Sequence, residues 1–170
     1  MTFERVSYDD VSERALFSMG LDSFDDPFPT MDLPTKYFVC LLAADFSSVS
    51  VARISDVALT LVSVGCCYFL CWGPGCERAH DIIDETLVAA NLDVIDDSVI
   101  MTTWHNDETL DEALYFLLTC AMPDDKYFEM TGASVAVSVG NEKVLAHTRT
   151  ALEDPRGFVR KVVDADDGAA

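Results

Sequence analysis

From Tyr37 onward, apolar and polar positions alternate in a regular order along the chain. YFVCLLA, CCYFLCW and ASVAVSV are continuous apolar runs of strand length, and SVIMTTWH contains a further strand. The segments between them carry helical spacing instead. SVARISDVALTLVS closes at Gly65, and CERAHDIIDETLVAANL is amphipathic. TLDEALYFLLTCAM opens with a capping box, since Glu112 follows Thr109 by three residues. NEKVLAHTRTALED follows the last strand with Asn141 as its cap, Pro155 and Gly157 then interrupt it, and GFVRKVVD resumes as a short helix. Strands that read as near-continuous Val, Leu, Cys and Phe are buried on both faces. Strands that alternate with helices form a parallel sheet with right-handed crossovers. The pattern therefore predicts an α/β fold: a three-layer α/β/α sandwich around a mainly parallel four-stranded sheet. Order 2-1-3-4, of flavodoxin-like or Rossmann-like type, is the expectation.

The first 36 residues follow a different rhythm. Asp10 reads as the N-cap of a helix that places Val11, Ala15, Leu16 and Met19 on one face and ends at Gly20. LDSFDDPFPTMDLPT, with three prolines, reads as an extended arm anchored by Phe24, Phe28, Met31 and Leu33. The expected organisation is thus an N-terminal helix and acidic arm over 1–36, one α/β domain over 37–163, and a disordered acidic tail over 164–170.

Charge changes the picture of partners. Thirty acids face eleven bases among 170 residues, a formal net charge of −19. Such a field repels nucleic acid and anionic membrane, both of which need Lys and Arg to neutralise phosphate. It suits either a highly solvated surface or a docking face for a basic protein. Six cysteines lie mostly inside apolar runs, where they act as small hydrophobes and not as a disulfide framework. The opening MTFERVSYDD lacks the apolar core of a secretion signal, and no apolar run approaches membrane-spanning length. A reducing cytoplasm is the expected compartment.

Ligands of open parallel sheets bind beyond the carboxyl ends of the strands, where the connections diverge. In order 2-1-3-4 that rim gathers Asp45 after the first strand, WGPGCERAHD after the second and TTWHNDE after the third. The candidate binding residues are therefore Asp45, Arg78, His80, Trp104 and His105. Asp45 also fits a turn, and Asp107-Glu108 fit first-turn acids of the following helix. Neither GxxxxGK[ST] nor GxGxxG is present, so no nucleotide cofactor is expected. Cys71, Cys76, His80 and His105 offer thiolate and imidazole ligands for zinc, but without a CxxC pair, and no metal is expected. Cys76 at a helix start, with His80 and Asp84 each one turn further on, has the spacing of an activated thiol, although Glu77 and Asp81 oppose its ionisation.

Two segments, GPGCERAHD and TTWHNDETLDEAL, resemble those of a family of small bacterial proteins classed as a domain of unknown function, with patterns GPxCERxHD and TTWHxDExLxEAL. The resemblance covers residues 71–120. It implies that Cys76, Glu77, Arg78, His80, Asp81, Thr103, Trp104, His105 and Glu108 form a defining feature, and it implies no activity. The functional expectation is a non-enzymatic interaction module, of immunity or regulatory type, that binds a basic partner. The alternative is a binder of a small nucleotide-like anion, or an enzyme, with its site at the strand ends.

Overall fold

The computed structural model describes residues 2–92, 94–95 and 98–167. The chain begins with a hairpin, β1 (Thr2–Asp9) and β2 (Arg14–Leu21). An irregular arm leads to β3 (Tyr37–Ala43), α1 (Val51–Ser63), β4 (Cys66–Trp72) and α2 (Cys76–Ala89). A short antiparallel pair, β5 (Val94–Ile95) and β6 (Ser98–Val99), precedes β7 (Met101–His105) and α3 (Leu110–Thr119). The one-turn α4 (Asp125–Phe128), β8 (Thr131–Val139), α5 (Glu142–Glu153) and α6 (Pro155–Asp167) complete it.

The sheet has six strands in the order β1-β2-β8-β3-β4-β7. All neighbours are parallel except β1 and β2. Strand alternation sends Phe38, Cys40 and Leu42 of β3 to one face, where Ile54, Val57, Ala58 and Leu61 of α1 and Ala79, Ile83 and Leu87 of α2 cover them. Val39 and Leu41 point to the other face, covered by Leu114 and Leu117 of α3, Leu152 of α5 and Phe158 of α6. The mixed α/β architecture and its layers follow the hydrophobic pattern.

Three expectations are corrected. The first is the N-terminal helix. Asp9, not Asp10, accepts from the Val11 and Ser12 N–H groups at 3.2 and 3.1 Å, and it closes a hairpin turn with Glu13 at φ 56. The same Asx hydrogen bonds open helices and close turns. Leu16, Phe17 and Met19 are then buried on both faces of β2, which is part of the sheet.

The second is strand order. The expected first three strands, β3, β4 and β7, lie side by side in chain order, and the chain returns across the opposite face so that β8 lands on the far side of β3. Beyond it, β2 pairs with β8 from Ala15↔Ala133 to Leu21↔Val139. The sheet thus has six strands and does not adopt order 2-1-3-4. Connections diverge at the β2–β8, β3–β8 and β4–β7 boundaries.

The third is the tail. Residues 164–167 end α6, because no Gly or Pro follows Gly157 until Gly168 and Phe158, Val159 and Val162 dock the helix on the core. Residues 168–170 lie outside the described residues. The arm, meanwhile, packs Phe24, Phe28, Met31 and Leu33 against the α1–α2 side, and Arg53 Nε donates to the Phe24 carbonyl at 2.6 Å. Among the described residues, no helix is long and apolar enough to cross a membrane.

Candidate functional site

The Gly73-Pro74-Gly75 turn is fixed by its neighbour. The Phe46 N–H donates to the Pro74 carbonyl at 2.7 Å, and the Ala44 N–H donates to the Trp72 carbonyl at 3.0 Å. Gly73 has φ 110, and a Cβ there would lie 2.2 Å from the Ala44 carbonyl oxygen. Gly75, the N-cap of α2, sits at φ 73 against the Phe46–Ser47 backbone. Both glycines serve close backbone packing.

Asp45 and Arg78 belong to this loop pair. The Asp45 carboxylate accepts from the Ser47 N–H at 2.9 Å, and its hydrogen bonds from Ser47 hold the carboxyl below the usual range. Arg78 Nη1 donates to the Phe46 carbonyl at 3.1 Å.

His80 lies on another side of α2. Its Nδ1 is 3.0 Å from Asp81 and its Nε2 3.5 Å from Asp84. Its ring packs on Trp104, with centroids 4.5 Å apart and planes tilted by 58°. Asp84 also accepts from the Thr102 hydroxyl at 2.6 Å, tying α2 to β7. Trp104 remains 46% exposed on β7, at the edge of the sheet.

His105 is turned the other way, because consecutive strand residues face opposite sides. It is 3% exposed, edge-on to Phe116 of α3 at 4.7 Å. Its Nδ1 lies 2.7 Å from Glu108 Oε2 and its Nε2 3.2 Å from Thr103 Oγ1. Beside it Trp72 Nε1 donates to the Glu108 carbonyl at 2.9 Å. Trp72, Pro74, His105, Asp107 and Glu108 line a cleft of about 250 Å³ at the carboxyl ends of β4 and β7.

The five candidates therefore divide into three places: Asp45 in the β3–α1 loop with Arg78 reaching that loop from α2, His80 with Trp104 on the α2 side, and His105 on the α3 side. Asp84, Thr102 and Glu108 are the partners that complete them. The i, i+4 step from His80 to Asp84 and the i, i+3 step from His105 to Glu108 were the local signals for two of these. Cys76 is buried, and burial pushes its thiol up against the lowering by backbone hydrogen bonds from His105 and Glu77. This is the reverse of an activated nucleophile. Cys71 is buried with the α1–α2 core and His105 is on the opposite face. Among the described residues, no group of three or more His, Cys, Asp or Glu side chains is placed to hold a metal ion.

Residues 19–155 match the family model described as a domain of unknown function, DUF7684. The chain belongs to this family. The matched span runs from the end of β2 to the start of α6, so it contains β3, β4, β7, β8 and every candidate residue of this DUF7684 domain. No curated protein and no solved structure matches the chain.

Proposed function

We propose that this DUF7684 protein is a non-enzymatic interaction module, of immunity or regulatory type, that takes a basic protein segment on the edge of its sheet. One observation carries the reading: Trp104 is exposed on an edge strand, backed by a histidine that two aspartates flank. An arginine approaching this surface would meet an aromatic face and the Asp81 and Asp84 carboxylates together. Trp and Arg are the residues that most often anchor interfaces. The net charge of −19 would steer such a partner and repel nucleic acid. A cytoplasmic location accords with six cysteines that are all free thiols.

The test is selection from a random peptide-display library at low ionic strength. The reading expects enriched sequences to carry Arg or Lys next to an apolar residue and to lose binding to a Trp104→Ala variant. Enriched peptides that bind that variant equally well would sink it.

The cleft beside His105 supports a second reading, a small-ligand site at the strand ends. It fits a nucleotide-like anion less well. Asp107 and Glu108 line the cleft, no Lys or Arg does, and Arg78 is engaged by the Phe46 carbonyl.

A further inference from the structure

A different crevice opens where β2 and β8 end. Here β2 leads into the arm on the α1–α2 side while β8 leads into α5 on the other, so the chain parts and leaves a cavity of about 270 Å³. Crevices of this kind, beyond the carboxyl ends of parallel strands, are where open α/β sheets hold ligands.

Its wall contains an unpartnered buried hydroxyl. Ser138 is 2% exposed, and its Oγ has no hydrogen-bond partner. Buried hydroxyls are ordinarily paired, so one that is not calls for a partner. Val135, Val137 and Val139 of β8 face the α1–α2 core, which turns Ser138 toward the α5 side. Its register neighbours are Gly20 and Ala43, and Gly20 has no side chain to fill the space beside the hydroxyl.

The sign of the charge is set by the same wall. Asp22 and Glu142 line it, and no Lys, Arg or His does. The N-terminus of α5, which could otherwise attract an anion, is already occupied: Asn141 Oδ1 accepts from the Lys143 and Val144 N–H groups at 3.1 and 3.2 Å. The site is therefore acidic, with a hydroxyl able to accept from a ligand's N–H.

We propose that this cavity binds a small organic cation of the amine or guanidine class, whose N–H groups donate to Ser138 Oγ and to the Glu142 carboxylate. The site is separate from the Trp104 surface, since β3 and β4 lie between β8 and β7. Its failure would leave the partner-binding reading untouched.

The experiment is an amide NMR titration of the full chain at about 150 mM salt, which screens loose ion pairing. The first probe is agmatine, which carries both an ammonium and a guanidinium. Expected are saturable shifts at Gly20, Gly140 and Leu145, weakened about fivefold or more by Ser138→Val and by Glu142→Gln. A blocked arginine, N-acetyl-arginine methylamide, separates sources of one chemistry: tighter binding than agmatine points to a protein side chain, weaker binding to a free amine. Tetramethylammonium has the charge without N–H donors and should give no saturable shift there. Absence of saturable agmatine shifts at these amides, equal response to tetramethylammonium, or unchanged affinity in the variants would each overturn the proposal. Should Ser138→Val fail to fold, the exposed Glu142→Gln carries the test.

Discussion

Trp104 and His105 are consecutive residues of β7 that serve opposite faces of the sheet. One packs on His80 and meets solvent; the other is enclosed by Glu108, Thr103 and Phe116. Their substitutions should therefore behave differently. Trp104→Ala should change stability by less than about 1 kcal/mol, as an exposed position does. His105→Ala strips a buried hydrogen-bonded ring and should cost about 2 kcal/mol. Urea unfolding of both variants checks this, and equal losses would contradict the division of faces.

The Gly73 position tests the loop pairing. Gly73→Ala combines a left-handed backbone with a Cβ 2.2 Å from the Ala44 carbonyl oxygen. The expected loss is at least about 3 kcal/mol. Thermal unfolding followed by circular dichroism measures it, and a loss under about 1 kcal/mol would mean that the β3 and β4 loops are not joined as described.

Thiol chemistry distinguishes a buried Cys76 from a reactive one. Of six cysteines, Cys120 alone is exposed. Burial pushes Cys67 up to about 11 and raises Cys71 and Cys76 as well. With a disulfide reagent near pH 8, one thiol should react quickly in the folded protein, and Cys120→Ser should remove it. Rapid reaction surviving in that variant would restore a reactive thiol at the α2 start.

Acid should weaken the α3 capping box. Hydrogen bonds from the Thr109 backbone and hydroxyl hold the Glu112 carboxyl below its ordinary value of 4.5. A carboxyl depressed in the folded state adds stability that is complete above its unfolded value and is lost as pH falls through the folded one. The stability gap between the wild-type protein and Glu112→Gln should thus be widest above about pH 4.5 and shrink below it. Urea midpoints measured from pH 7 to pH 3 follow the gap. Thr109→Ala should cost about 1 kcal/mol at neutral pH.

Local signals in the chain were legible where one element determines them. The Thr109–Glu112 box opens α3, Asn141 caps α5, and the buried runs 37–43, 66–72 and 131–139 became strands. What escaped depends on partners distant in sequence. Asp10 to Glu13 has the residue types of a helix start. Pairing with β1 across the hairpin, and with β8 more than a hundred positions away, makes Arg14–Leu21 a strand. The same insertion of β8 beside β2 set the strand order, which no local pattern encodes. The rim was legible as a neighbourhood, since α2 and β7 do meet through Asp84, Thr102, His80 and Trp104. Its division was encoded too, in the period-two rule that separates Trp104 from His105, once that segment is a strand through His105 and not a loop.

The most direct test of the central proposal is calorimetric titration of a library-selected basic peptide into the wild-type protein and into Trp104→Ala, at low and at physiological ionic strength. The account predicts wild-type binding that weakens as salt rises, and a loss of at least about tenfold in Trp104→Ala, as for a central aromatic anchor. Affinity unchanged by that substitution would contradict it.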